Sequence, residues 1–117
     1  MELREVACES RPDAVVVLAT GDIDSNSVER LIVRLKDALD AAAGHPAHLV
    51  IVDLQQVKLL GSAGLNALLD CHEDGLAAGV SVRLVADHPE VLQPIQVTEL
   101  DRILEIYPTV PDAVQGR

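Results

Sequence analysis

The sequence predicts an α/β domain built from a sheet and a layer of helices. Short continuous apolar runs, typical of buried strands, alternate along the chain with longer segments in which apolar residues recur at helical spacing. The 117 residues suffice for one compact domain, predicted to span 1–117. With one Tyr and neither Phe nor Trp, this domain must have an aliphatic core.

Two strands are predicted near the N-terminus. The run from Val15 to Ala19 is continuously apolar, and Thr20-Gly21-Asp22 is expected to close it as a turn. The segment from Leu3 to Cys8 alternates enough to pair with this run as an edge strand.

An amphipathic helix follows. From Val28 to Ala42 apolar residues recur at helical spacing, and most charged residues lie elsewhere on the wheel. Asn26 with Glu29 three positions later fits the start of a helix, and Gly44 followed by Pro46 fits its end. This helix is expected to cover the sheet.

The middle of the chain repeats the pattern. His48 to Asp53 is an apolar strand with polar flanks and the best candidate for the centre of the sheet. A second helix is predicted from Leu65 to Gly79. Its apolar stripe consists of Leu65, Leu68, Leu69, His72 and Leu76.

Shorter elements complete the chain. Ser81 to Val85 is a further strand, and Asp87-His88-Pro89-Glu90 resembles a capping box that opens a third helix, whose length Pro94 limits. Arg102 to Ile106 is predicted as a last short strand, and Asp112 to Val114 as at most a stub of helix.

Composition excludes several functional classes. Nineteen acidic against nine basic side chains leave a formal charge of −10, which opposes binding to nucleic acid, and Tyr107 alone offers no platform for stacking bases. No apolar run approaches the length of a membrane span, and the N-terminus lacks the basic start and apolar core of a signal peptide. We therefore expect a cytoplasmic protein without a membrane or nucleic-acid partner.

The two cysteines do not indicate a disulfide framework or a zinc site. Cys8 and Cys71 are far apart and lack Cys-x-x-Cys spacing. His72 follows Cys71 directly, and neighbours on a helix point about 100° apart, which is poor geometry for a shared metal. We expect reduced cysteines, no metal and no cofactor.

The most informative segment is Leu59 to Leu65, between a predicted strand and a predicted helix. It places the Ser62 hydroxyl at or beside a helix N-terminus, where unpaired N–H groups and the helix dipole favour negative charge. A simpler interpretation makes Ser62 an ordinary N-cap residue.

Catalysis by this segment is not supported. A nucleophile elbow has glycine two residues before the serine, where this chain has Leu60. The only histidine that follows the predicted helix and could act as a base is His88. A phosphate-binding loop would need a lysine after the glycine, and Leu65 and Asn66 follow Gly64 instead. We therefore expect no enzymatic activity, with Ser62 as a substrate or a contact.

The segment Gly61-Ser62-Ala63-Gly64-Leu65 resembles the Asp-Ser-[Ser/Thr]-Gly-Leu motif of STAS domains, the fold of bacterial anti-sigma factor antagonists. Two other segments support the likeness, Gly21-Asp22-Ile23-Asp24 after the second strand and Leu100-Asp101-Arg102-Ile103-Leu104 near the end. The resemblance implies a mixed sheet of four to five strands with helices packed mainly on one face.

It also implies a function. In phosphorylated members a kinase that is itself the anti-sigma factor binds the unphosphorylated domain, and phosphorylation of the serine that maps to Ser62 ends the binding. Two residues depart from the pattern, because Gly61 replaces the usual acid and Ala63 the usual Ser or Thr. We expect a monomer or weak dimer that contacts this partner through the motif and the turn after the second strand. The expected contact residues are Asp22, Asp24, Ser25, Asn26, Lys58, Leu60, Gly61, Ala63 and Gly64.

Two alternatives remain. A STAS domain without phosphorylation could serve as a scaffold in a lipid-transport or stress-signalling complex, which the glycine at position 61 favours. A small-molecule or nucleotide site could form if Asp22, Asp24 and Asp53 converge at the strand ends, where they could also hold a divalent ion. The simpler role for these carboxylates is in turns and strand ends.

Overall fold

The computed structural model describes residues 3–117, so the first two residues of the domain predicted over 1–117 lie outside it. Within 3–117, no helix is long and apolar enough to cross a bilayer. The elements are β1 (Glu5–Ser10), β2 (Val15–Ile23), α1 (Val28–Ala43), β3 (Leu49–Leu60), α2 (Ser62–Ala78), β4 (Ser81–Val85), α3 (Pro89–Val97), a 3-10 turn (Leu100–Arg102), β5 (Glu105–Tyr107) and α4 (Val110–Gln115).

The five strands form one mixed sheet in the order β1-β2-β3-β4-β5. β1 pairs with β2 antiparallel, and the remaining neighbours are parallel. α1, α2 and α3 pack on one face, and the short α4 packs on the other. The mixed sheet and its mainly one-sided helical layer confirm the fold expected from the sequence.

Burial on both faces explains the continuous apolar runs. Along β2, Val15 and Val17 face the large core under the helices, whereas Val16 faces a smaller cluster with Ala113 of α4. Arg83 holds α4 in place, because its Nη1 donates to the carbonyl oxygen of Ala113 at 2.8 Å. The predicted stub is therefore a six-residue helix that covers the second face of the sheet.

The two central strands are longer than predicted. β2 continues through Thr20-Gly21-Asp22 to Ile23, and β3 continues past Asp53 to Leu60. Their pairing shifts twice, and each shift places one extra residue in β3. Gly21 adopts a φ of 109°, which favours glycine. These irregularities break the apolar pattern, so the predicted ends of both strands were wrong.

Three smaller boundaries also differ. α3 has His88 at its N-cap and no side-chain cap, so the capping box predicted at Asp87 is wrong, although Pro89 occupies the first turn as expected. The helix passes Pro94 and ends at Val97. β5 starts only at Glu105 because residues 100–102 form a 3-10 turn.

β1 also starts later than predicted. It begins at Glu5, and its register pairs Glu5 with Thr20 and Ser10 with Val15, the first residue of β2. Because the start of β2 sets the last pair, β1 extends two residues beyond the predicted end at Cys8.

α2 presents a different face to the core than its leucines suggest. Its buried residues are Gly64, Leu65, Ala67, Leu68, Cys71 and Gly75, and Leu76 is 68% exposed. A Cβ on Gly75 would lie 2.7 Å from the carbonyl oxygen of Val80 and 2.9 Å from a methyl carbon of Val82. The helix therefore approaches β4 along its small residues, which turns His72 and Leu76 away from the core.

Candidate functional site

Ser62 is the first residue of α2, so the helix starts three residues before the predicted Leu65 and Ser62 lies at its N-terminus as expected. The N-cap is Gly61, with φ −84° and ψ 175°, so the ordinary N-cap role for Ser62 is wrong. The Ser62 side chain is exposed, and its hydroxyl has no hydrogen-bond partner within residues 3–117. A free hydroxyl therefore stands at the positive end of a 17-residue helix.

The turn between β2 and α1 lies directly beside this serine. The backbone N–H of Gly61 donates to the carbonyl oxygen of Ile23 at 2.8 Å. A Cβ on Gly61 would lie 3.8 Å from the Cα of Asp24. The start of α2 and the start of α1 thus meet at the carboxyl ends of β2 and β3, where ligands and partners of open α/β sheets commonly bind.

Hydrogen bonds hold that turn in one shape. Asp24 Oδ1 accepts from the backbone N–H groups of Asn26 at 2.9 Å and Ser27 at 3.1 Å. The Ser27 hydroxyl donates to the carbonyl oxygen of Asp22 and accepts from the N–H of Asp24, both at 3.0 Å. The Asp24 carboxylate therefore orders the turn that precedes α1, and the N-cap of the helix is Ser27 where the sequence predicted a start at Asn26.

The predicted contact residues divide by burial. Ser25, Asn26 and Lys58 are exposed. Asp24, Gly61 and Ala63 are half-buried, and Asp22, Leu60 and Gly64 are buried. The buried three shape the surface from below. We use the term Ser62 face for the accessible residues Asp24, Ser25, Asn26, Lys58, Leu59, Gly61, Ser62 and Ala63.

Leu59 joins this face, whereas its neighbour Leu60 belongs to the core. Leu60 is 3% exposed and Leu59 is 50% exposed. Both residues belong to β3, which at this point carries an extra residue, so Lys58 and Leu59 both reach solvent in succession. Only knowledge of the strand irregularity could have separated the two leucines.

Gly64 allows α2 to begin where it does. A Cβ on this residue would lie 2.7 Å from Ile23 Cγ2 and 2.7 Å from Leu60 Cδ1. Both neighbours are buried. The glycine of the motif therefore lets the first turn of α2 pack against the ends of β2 and β3, which fixes the position of Ser62.

The three carboxylates considered for a cation have separate roles. Asp53 lies within β3 and accepts from the N–H of Gln55 at 3.0 Å, and Asp24 serves the turn described above. Asp22 is 9% exposed at the end of β2. No group of three His, Cys, Asp or Glu residues in the part of the chain from 3 to 117 could hold a metal ion.

Both cysteines are free, and Cys71 is one of the buried residues of α2. Burial, and to a lesser extent the negative charge of Asp74, raises the pKa of the Cys71 thiol to about 12. Because the thiol is harder to ionise in the folded chain than in the unfolded chain, unfolding releases a proton above about pH 9. The stability contributed by the neutral thiol is therefore present below pH 9 and is lost as the pH rises towards 12.

The raised pKa predicts a loss of stability at alkaline pH, and Cys71→Ala should remove this loss. In urea unfolding, wild type is expected to be the more stable protein at pH 8, and its advantage should shrink steadily by pH 11. Cys8→Ala is the comparison, because partial burial also raises the pKa of the exposed Cys8 thiol, but less than that of Cys71, so this variant should keep most of the alkaline loss of wild type. A stability difference between wild type and Cys71→Ala that does not vary with pH would contradict the assignment.

Comparison with known proteins shows the family of the chain. The STAS domain profile matches residues 5–113. The chain is 33% identical over 101 residues to the anti-anti-sigma factor Rv2638 of Mycobacterium tuberculosis, covering 86% of this chain and 67% of the relative. It is 30% identical to the anti-sigma-F factor antagonist RsfB of the same species, covering 92% of this chain and 93% of RsfB.

A solved structure agrees with these matches. The crystal structure of an anti-sigma factor antagonist from Mycobacterium paratuberculosis superposes with a TM-score of 0.86 at 28% identity, and the match covers 96% of this chain and 92% of that one. The family profile alone spans all five strands and the Ser62 motif. The chain belongs to the STAS domain family.

Proposed function

We propose that this protein is a cytoplasmic anti-sigma factor antagonist, which binds a kinase-type anti-sigma factor through the Ser62 face and is released when that partner phosphorylates Ser62. The observation that carries the proposal is the free, exposed hydroxyl of Ser62 at the first position of α2. The relatives Rv2638 and RsfB support it, because their names assign both an action on anti-sigma factors.

The geometry suggests how one modification could end binding. The Ser62 face combines a neutral hydroxyl, the apolar side chain of Leu59 and a turn held rigid by Asp24. A partner that packs on these groups buries the hydroxyl. Phosphorylation adds about −1.5 to −2 charge at pH 7, and burying this charge without a cation costs far more than burying a hydroxyl.

The isolated domain should tolerate the same charge well. Ser62 is exposed, and the N-terminus of α2 favours an anion through its free N–H groups and dipole. Phosphorylation would therefore act on the complex and leave the fold intact, as a reversible regulator requires.

Ala63 replaces the second hydroxyl of the family motif, so Ser62 is the hydroxyl acceptor within the motif itself. Gly61 removes the acid that usually precedes the serine. The backbone at Gly61 has a φ of −84°, and a Cβ there would meet the carbonyl oxygen of Ile23 at 3.4 Å, an ordinary contact. An aspartate therefore fits at position 61, which makes Gly61→Asp a suitable probe of what the missing acid does.

The test is phosphorylation by a candidate kinase-type anti-sigma factor from the same organism, followed by intact mass analysis. With ATP, we expect wild type to gain one phosphate and Ser62→Ala to gain none. Gly61→Asp is expected to gain one phosphate as well.

A phosphate gained by Gly61→Asp and not by wild type would overturn the proposal. It would favour the alternative in which the glycine has converted the domain into an unphosphorylated scaffold of a lipid-transport or stress-signalling complex. If Ser62→Ala still gains a phosphate, the phosphorylated residue is not Ser62, and the proposal is wrong on this point.

A further inference from the structure

A groove of about 370 Å³ runs between α1 and α2 on the outer side of the helical layer. Its floor is apolar and includes Leu35 and Leu39 of α1 with Ala67 and Cys71 of α2, all buried. Ile32, half-buried, extends the floor at the side of α1. The groove thus offers a row of aliphatic surface between two helices.

The rim of the groove is charged unevenly. On the side of α2 stand the three exposed carboxylates of Asp70, Glu73 and Asp74. On the side of α1 stands Lys36. Among the residues that the structure describes, none of these four takes part in an ion pair. Three carboxylates along one helix edge are therefore available to a partner's cations.

The groove lies along the helix that begins at the Ser62 face. Ala67 lies five residues after Ser62 on the same helix, which corresponds to about 7–8 Å along its axis. Asp74 lies about 18 Å from Ser62 by the same measure. The wall of the groove that α2 forms therefore begins within about 8 Å of the Ser62 face, measured along the helix axis.

We propose that this groove binds an amphipathic basic helix of a protein partner. Aliphatic side chains on one stripe of that helix would pack on the floor, and flanking Lys or Arg residues would pair with Asp70, Glu73 and Asp74. The formal net charge of −10, from nineteen acidic and nine basic side chains, would attract such a segment at longer range. The interaction needs neither phosphorylation of Ser62 nor an anti-sigma factor. Its test is therefore independent of the function proposed above.

The probe is a synthetic peptide of Leu and Lys, with Leu at helical spacing i, i+3, i+4 and i+7, titrated into the ¹⁵N-labelled protein. Amide shifts are expected to concentrate at the floor residues, Ile32, Leu39, Ala67 and Cys71. A peptide of the same composition with its leucines scattered keeps the charge and loses the apolar stripe. It should bind at least about tenfold more weakly.

Neutralising the acidic rim tests whether its carboxylates contribute to binding of the peptide. The triple variant Asp70→Asn, Glu73→Gln, Asp74→Asn is expected to bind the Leu/Lys peptide about tenfold more weakly, as three rim pairs of ordinary strength predict. Circular dichroism and thermal unfolding would verify that the variant is folded.

Two controls separate the groove from general attraction to an acidic protein. The triple variant Glu5→Gln, Asp13→Asn, Asp101→Asn removes the same charge from exposed positions outside the groove and should change affinity less than about twofold. Lys36→Glu makes both rims acidic and should strengthen binding, a gain that misfolding would not produce.

Equal losses in the two triple variants would overturn the proposal, as would shifts that map away from the floor. If the floor amides shift with protein concentration in the absence of peptide, the groove is a contact between copies of this chain, and the proposal is again wrong.

Discussion

Ser62→Asp is expected to weaken binding to the anti-sigma partner by about 100-fold, whereas Ser62→Ala should bind like wild type. A carboxylate at this position mimics part of the phosphate charge. Buried against a surface that accepts a neutral hydroxyl, an unpaired charge costs about 3 kcal/mol, which corresponds to the loss in affinity. The alanine keeps the interface neutral. It also costs the free chain nothing, because the Ser62 hydroxyl makes no hydrogen bond within residues 3–117.

Calorimetric titration with the same candidate partner measures both variants. Ser81→Asp is the matched control, because Ser81 is also exposed and starts β4, at the opposite end of the parallel strands from Ser62. It adds the same charge and should leave affinity unchanged. Equal affinities for Ser62→Asp and Ser62→Ala would contradict control of binding through this residue.

A loss of affinity in Ser62→Asp must also be separated from a loss of fold. The carboxylate would stand at the first position of α2, where the helix dipole favours negative charge by about 0.3–1 kcal/mol. The free variant is therefore expected to unfold at or slightly above the temperature of wild type. A lower unfolding temperature would show that Ser62 makes a structural contribution that the free hydroxyl does not suggest.

The sequence was sufficient for features set by local patterns. α1 was recognisable from its apolar stripe and from Gly44 at its end, and β4 was predicted at its observed bounds, Ser81–Val85. Ser62 was placed correctly because an apolar strand and a helical pattern meet around it. Each of these depends on neighbours within a few residues, which a sequence displays directly.

Features that depend on contacts between distant segments were not accessible. The ends of β2 and β3 follow from two register shifts between them, and these shifts also decide that Leu59 is exposed and Leu60 buried. Nothing in the order of residues around Asp53 or Lys58 marks an extra residue in a strand. The site was thus located by its serine, whereas the extent of its surface required the structure.

The orientation of α2 is the clearest such case, and it predicts the largest effect on stability. The sequence placed Leu68 and Leu76 on one apolar stripe of the same helix, which makes them equivalent. In the structure Leu68 is fully buried and Leu76 is 68% exposed, because the helix approaches β4 at Gly75. The two leucines should therefore respond differently to the same substitution.

Leu68→Ala is expected to lower the free energy of unfolding by about 3 kcal/mol, through lost apolar burial and the cavity left among its neighbours. Leu76→Ala should change it by less than about 0.5 kcal/mol, as expected for an exposed position. The substitution and the helix are the same in both variants, so helix propensity cancels in the comparison. Urea unfolding at pH 7 measures both values, and similar losses would mean that α2 packs through the stripe of leucines and that Gly75 does not set its orientation.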